Sequence, residues 1–294
     1  MEDVIPPRRP IAACLLALVS CTAVAEPPQA TPTRIVAIGD LHGDLDNAIA
    51  TLKLAGLVDA NNAWSGEKAV LVQTGDTTDR GPDSAKILDL LKRLSREATA
   101  AGGRVVPLLG NHEVMNLHGD WRYVDPGDVA HFGGPEARRA AFSESGVYGS
   151  WLRTLDLAQV VGDSVFAHGG ITPEYASVGI DGINAQAHGS WNNPDAAVFG
   201  SDGPLWFRGY VQEEESLACP ALKTALNALG VKRMVVGHTT RRDGKIQARC
   251  SGALVVIDIG IADGYGGHLG ALEINGGDAR ALYPSGPVDV RDPS

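Results

Sequence analysis

The chain has 294 residues, 44% of them apolar and 20% charged, with a formal net charge of −10. That length can bury a full hydrophobic core, as one large domain or two small ones. The acidity excludes a phosphate-backbone binder, since nucleic-acid binding depends on dense Lys and Arg.

The N-terminal residues 1–25 read as an export signal. Arg8-Arg9 precede the apolar stretch Ile11 to Val19, and small residues lead on to Ala23-Val24-Ala25. A basic start, a short apolar core and an A-x-A cleavage site are the marks of a secretory peptide. The apolar run falls short of the roughly 20 residues that a membrane span needs. Leu18-Val19-Ser20-Cys21 also resembles a bacterial lipobox. Two exported, periplasmic forms therefore stay open: one cleaved and soluble, the other lipid-anchored at Cys21. Loss of the signal leaves Cys219 and Cys250, which in an oxidising compartment are expected to pair, the alternative being two free thiols.

A Pro/Thr-rich leader, 26–33, opens the mature chain. A strand is expected from Arg34 to Gly39, then a helix with Asp44 and Asp46 near its first turn and Leu45, Ile49 and Leu52 on one face, stopping at Gly56. A second strand runs from Lys68 to Thr74. A second helix starts near Pro82-Asp83, with Ile87, Leu90, Leu91 and Leu94 on one face, and a third strand starts at Arg104. This alternation implies right-handed crossovers and parallel strands, whose functional groups gather beyond the carboxyl ends. Residues 120–151 read as an insertion over the site, with a helical segment near Glu136–Ala141. Ala158–Val161 and Ser164–Ala167 flank Gly162-Asp163 as a hairpin. Residues 172–204 read as loops, followed by a helix from Pro220 to Leu229 and a strand from Arg233 to Val236. Strands near Lys245–Arg249, Ala253–Ile257 and Leu269–Ile274 read as antiparallel. The catalytic domain spans 34–284, and 285–294 reads as a tail.

The chemistry lies at the strand ends. Gly39-Asp40-Leu41-His42-Gly43, Gly75-Asp76-Thr77-Thr78-Asp79-Arg80-Gly81 and Gly110-Asn111-His112-Glu113 follow the first three strands. Asp40, Asp76 and Asn111 stand 36 and then 35 residues apart. His168-Gly169-Gly170 and Gly237-His238-Thr239 follow two later strands. Carboxylate and amide oxygens mixed with imidazoles suit two divalent ions held close together. Asp40 and His42 can reach one ion, Asp76 can bridge both, and Asn111, His168 and His238 complete the second. Mixed nitrogen and oxygen donors suit Mn, Fe, Zn or Co.

These motifs, in this order, resemble the phosphoprotein phosphatase family of metallophosphoesterases. The strings 110–123 (GNHEVMNLHGDWRY) and 264–274 (GYGGHLGALEI) resemble its bacterial Shewanella-like branch. The resemblance spans about Arg34 to Ile274. It implies a four-layer α/β/β/α sandwich, an α/β fold with a dinuclear centre between two sheets. It also implies attack on phosphorus by a metal-bridging hydroxide, with His112 as general acid and Asp79 orienting it. Arg80 would grip the phosphate oxygens, and Arg208, after Leu205-Trp206-Phe207, would be a second phosphate contact. Asp120 and Arg122 would shape the pocket mouth, while Glu113 would serve as a structural acceptor.

The substrate implied is a phosphoprotein, with phosphotyrosine favoured, and the metals implied are two divalent ions, Mn first among Mn, Fe, Zn and Co because the family often works with Mn in vitro. No segment matches the C-terminal signature of the eukaryotic serine/threonine enzymes, so their residue preference does not transfer. Two other readings remain: a periplasmic phosphatase for small esters or nucleotides, and an inactive metal-binding adaptor on the same fold.

Overall fold

The computed structural model describes Met1, Glu2 and residues 34–290. The chain divides into two compact units, Met1–Ala30 and Thr31–Ser294. The expected signal, Cys21 and the leader lie outside the described residues, and the architecture below is that of the second unit.

In chain order, β1 (Arg34–Ile38), α1 (Leu45–Leu54), β2 (Val70–Gln73), α2 (Ser84–Ala100) and β3 (Arg104–Pro107) come first. Four short helices follow: α3 (Asn111–Leu117), α4 (Pro126–His131), α5 (Pro135–Phe142) and α6 (Gly149–Leu152). The hairpin strands β4 (Ala158–Val161) and β5 (Ser164–Ala167) lead to α7 (Pro173–Ser177), α8 (Gly179–His188), α9 (Gly209–Gln212) and α10 (Glu215–Leu229). The chain continues with β6 (Arg233–Val236), β7 (Gln247–Arg249), β8 (Leu254–Val256), β9 (Ala271–Asn275), β10 (Asp278–Tyr283) and β11 (Gly286–Asp289).

The strands form two sheets. One has the order β11-β10-β9-β1-β2-β3, the other β4-β5-β6-β8-β7. β1, β2 and β3 run parallel, as do β5, β6 and β8. Strand alternation sorts the side chains into layers. On β1, Ile35 and Ala37 face the second sheet, where they pack with Phe166, Val235 and Val255. Val36 and Ile38 face the opposite way, onto Leu52 of α1 and Leu91 and Leu94 of α2. Ala167, Val236 and Val256 of the second sheet pack on Ala176, Ile183 and Leu222 from α7, α8 and α10. The result is the expected α/β/β/α sandwich.

Several elements differ from the reading of the sequence. Residues 172–204 hold two helices rather than loops alone. Thr172 caps α7 ahead of Pro173, and Ile183, Asn184 and Ala187 give α8 a buried face. Gly and Asn obscured this; Asn184 is there to receive Leu157 N and Ala158 N on its side-chain oxygen. Helix α10 starts at Glu215, upstream of Pro220, because its buried stripe begins at Ala218 and recurs at Leu222, Ala225 and Leu226. Among the last strands, β7 pairs antiparallel with β8, and β9 antiparallel with β1, as expected, but β8 pairs parallel with β6. The supposed tail is partly sheet: Gly276 and Gly277, both at positive φ, turn β9 into β10, and β11 pairs with β10. The domain therefore runs past residue 284.

Candidate metal centre

Eight polar residues meet beyond the carboxyl ends of β1, β2, β3, β5 and β6: Asp40, His42, Asp76, Asp79, Asn111, His112, His168 and His238. All are 5% exposed or less. Their loops are held in uncommon backbone. His42, Asp76, Asp79, Arg80 and His238 stand at φ of 43°, 54°, 68°, 67° and 63°. Such conformations cost on the order of 1 kcal/mol or more each and persist only where the surroundings impose them.

Here the surroundings are visible. Leu41 N and His42 N both donate to Asp76 O, and Gly43 N to Thr77 O, each at 2.9 Å, stitching the first motif to the second. Glu113 locks the second motif to the third. One of its oxygens accepts from the backbone and hydroxyls of Thr77 and Thr78, the other from Asp76 N and Gly110 N. Packing is tight enough that a Cβ on Gly110 would collide with Asp76 Oδ1.

The donor chemistry fits cations. His168 Nδ1 lies 2.9 Å from Thr74 O, a carbonyl that only accepts, so that nitrogen carries the proton. Nε2, on the other side of the ring, faces Asn111 Oδ1, 2.9 Å away, and Asp76 Oδ2, 3.2 Å away, and as an unprotonated nitrogen it would aim a lone pair at both. His42 repeats the pattern: Nδ1 lies 3.3 Å from Thr78 O, and Nε2 lies 3.9 Å from Asp40 Oδ2 and 3.8 Å from Asp76 Oδ2. Lone pairs aimed at oxygens repel one another unless a cation sits among them. Among the described residues three groups converge closely enough to hold an ion, and two of them lie in this cluster: His42, Asp76 and His112, and Asp76, His168 and His238. Asp76 belongs to both.

Electrostatics agree. Burial, then the imidazole of His168 and the charge of Arg208, push His238 down to about 2, and burial holds His42 down at about 4. Both rings therefore favour the neutral form, as metal ligation would require. Burial, then Asp258 and Asp76, raise the Asp40 carboxyl well above its usual range. Burial opposes the charge on Asp76, but His168, His112 and His42 outweigh it and hold that carboxyl well below the ordinary range.

Beside this cluster, His112 Nδ1 lies 2.8 Å from Asp79 Oδ2, and its Nε2 lies 3.8 Å from Asp76 Oδ2. Burial works against a charge on His112, yet Asp76 and Asp79 carry its pKa above the usual 6.5. Arg80 sits exposed at the rim, its guanidinium carbon 4.0 Å from the Tyr123 ring centroid. Arg208 does not stand free for phosphate. Its Nη1 donates to His238 O at 2.6 Å and lies 3.3 Å from Thr239 Oγ1, so the side chain braces the His238 loop. Asp120 and Arg122 pair with each other at 2.6 Å on the exposed side of Tyr123. Cys219 and Cys250 are joined as a disulfide that ties α10 to the residue after β7.

Some members of the site escaped the sequence reading. Tyr265 stacks on His42 with ring centroids 4.8 Å apart. Trp206, in the string already noted before Arg208, meets His238 edge-on at 5.5 Å. Asp258 lies buried beside Asp40. Asn116 and Arg138, behind Asp79, were also missed. Asn116 stands four residues after His112 and so shares its helical face, a signal present in the string. Arg138 carried none beyond its place in a short helix.

A buried cluster of carboxylates, an amide and imidazoles between two sheets, with a His–Asp pair beside it and an exposed arginine at its rim, has the donor set of a metal-dependent hydrolase. Residues 33–242 match the calcineurin-like phosphoesterases. An uncharacterised protein of Schizosaccharomyces pombe is 38% identical, over 85% of this chain and 80% of its own. Shewanella-like protein phosphatase 2 of Arabidopsis thaliana is 34% identical, over 87% and 79%. The crystal structure of a cold-active protein-tyrosine phosphatase from a psychrophilic Shewanella species superposes with a TM-score of 0.77 at 28% identity, covering 88% of this chain and 80% of that one. The chain belongs to the calcineurin-like metallophosphoesterases, with Shewanella-like protein phosphatases among its homologues. It is a phosphatase, and the fold implies divalent metals at the cluster described.

Proposed function

We propose that this enzyme is an exported phosphoprotein phosphatase with a dinuclear centre, acting on phosphotyrosine in preference to phosphoserine or phosphothreonine. The observation that carries the reading is the His112–Asp79 pair, set at 2.8 Å beside the shared ligand Asp76. Asp40, His42 and Asp76 would hold one ion, and Asp76, Asn111, His168 and His238 the other, with Mn the first candidate. Two such ions supply an activated water and charge neutralisation at phosphorus.

The protein does the rest. Arg80 presents its planar donor fork to the phosphate oxygens from the rim. His112 Nε2 delivers a proton to the departing oxygen, and Asp79 holds the opposite ring nitrogen so that this one faces the reaction. Glu113 and the strand-end loops keep these groups in place. The preference for tyrosine is supported by the name of the Shewanella relative and by the aromatic rings of Tyr123, Tyr265 and Trp206, which pack on His112, His42 and His238. Export is supported by the N-terminal pattern and the Cys219–Cys250 bridge.

The test is kcat/KM for Mn-loaded protein on phosphotyrosyl peptides, phosphoseryl peptides and nucleotides. Phosphotyrosyl peptides should rank first. A nucleotide preference would overturn the protein-phosphatase reading, and a phosphoserine preference would overturn the tyrosine assignment alone.

A further inference from the structure

Behind the His112–Asp79 pair lies a closed ring of buried polar groups. Asp79 Oδ1 accepts from Asn116 Nδ2 at 2.8 Å. Asn116 Oδ1 accepts from Arg138 Nη1 at 2.7 Å, and Arg138 Nε donates to Asp128 Oδ2 at 2.8 Å. Asp128 Oδ1 accepts from Ser84 N at 3.1 Å, and Ser84 Oγ accepts from Asp79 N at 3.2 Å, which closes the circuit. Arg138 Nη2 also lies 3.5 Å from Asp79 Oδ1. The guanidinium is fully buried, with its carbon 4.7 Å from the Phe142 ring centroid and 5.0 Å from that of Trp121.

The direction of each bond follows from Arg138. A guanidinium has donors only. The Asn116 amide must therefore turn its oxygen towards Arg138 and its NH₂ towards Asp79 and His112 O, 2.9 Å away. Asp79 Oδ1 is thereby engaged from behind, and Oδ2 is left to receive the His112 Nδ1 proton. With the Arg138 contact gone, the buried Asn116 oxygen loses its donor, and the amide that holds Asp79 Oδ1 is no longer anchored from behind. A buried Arg shared by two carboxylates is expensive to desolvate and is not the cheapest way to fill a core. Helix α5, which carries it, belongs to the segment between the third motif and the His168 strand, so the insertion supports the dyad as well as covering the site.

We infer that Arg138 is a positioning residue for phosphate-ester cleavage, fixing through Asn116 the Asp79 carboxylate that orients His112. The inference rests on the reading of His112 as general acid. A positioning role differs from a purely structural one in its dependence on the leaving group. An alkoxide needs the proton, whereas p-nitrophenolate departs without much help.

The experiment compares kcat on a phosphoseryl peptide and on p-nitrophenyl phosphate, with Mn content and thermal melting measured alongside. The variants are Arg138→Gln combined with Asp128→Asn, which removes the buried ion pair as a unit, and Asn116→Ala, which introduces no charge. Each should lose about tenfold to a hundredfold on the phosphoseryl peptide, less than about threefold on the aryl ester, and keep its metal and KM. Equal losses on both esters, or none on either, would overturn the inference. Asn116→Ala decides the matter if the double variant does not fold. His112→Ala in the same assay separates the two readings. If it loses activity equally on both esters, the general-acid assignment fails. If it alone shows the selective loss, only the role of Arg138 and Asn116 falls.

Discussion

His112 Nδ1 stands 2.8 Å from Asp79 Oδ2, and the two groups reach each other from different motifs, one at the start of α3 and the other in the loop after β2. That contact leaves one ring nitrogen for chemistry and supports the imidazolium. His112→Ala should cut kcat on phosphoseryl peptides by about 10² to 10⁴ and much less on aryl phosphates, with metal content intact. Unchanged turnover on phosphoserine would remove His112 from the role of acid.

The same contact sets a pH dependence. An acid must be protonated to work, so activity on a poor leaving group declines as pH rises through the pKa of His112. Asp76 and Asp79 hold that pKa above 6.5. Asp79→Asn removes one of the two anions, the pKa falls, and the alkaline limb of the kcat profile should move to lower pH. A limb that stays put would mean that another group controls it.

Asp76 Oδ2 lies within 3.8 Å of the nitrogens of His42, His112 and His168. Asp76 is also the residue common to both ligand groups of the cluster. Asp76→Ala should therefore empty both positions, read as metal per chain by elemental analysis. Two ions retained would show that the bridge lies elsewhere.

Glu113 contributes acceptors only, and six N–H and O–H groups point at its two oxygens. Glu113→Gln puts an NH₂ against donors at one oxygen or the other. The expected loss is about 2 to 3 kcal/mol of stability, seen as a lower Tm, together with weaker metal retention. A wild-type Tm would show that water fills the gap.

The Cys219–Cys250 bridge closes a loop with a sequence separation of 31. Constraint of the unfolded chain over a loop of that size is worth up to about 4 kcal/mol. Cys219→Ala with Cys250→Ala should lower Tm relative to the oxidised protein, and dithiothreitol should bring the wild type towards the same value. Equal Tm in all three forms would show that the bridge contributes nothing.

The site was legible wherever a strand end and a ligand residue coincide in sequence. Asp40, Asp76, Asn111, His168 and His238 each follow a short apolar run, and the sheet register brings those runs together. Legibility failed where position depends on packing across the sandwich. Arg208 stands two residues after Trp206 in the sequence, yet its direction is set by the carbonyl of His238. Tyr265 reaches His42 only because the chain after β8 folds back over the first motif. Residue types misled too: Gly179 and Gly182 disguised α8, and Pro220 marked a helix start that the Ala218 stripe places a turn earlier. Arg138 is an extreme case, since nothing in the pair Arg138-Arg139 says that the first is fully buried and the second exposed.

One consequence of the two-sheet arrangement reaches beyond catalysis. Asp40, Asp76 and Asn111 hang from one sheet, and His168 and His238 from the other. Any ion bound by both sets acts as a rivet through the seam between the layers. Its binding free energy then contributes to holding the layers closed, as metal binding does wherever the ligands assemble only in the folded state. The state of the seam thus reports the supply of divalent ions. Under chelation, amides of β1 and β6 that face each other across the sandwich should exchange with solvent sooner than those of α1 and α10 on the outer faces. Starved of metal, the enzyme would lose not just its reagent but the stiffness of its middle.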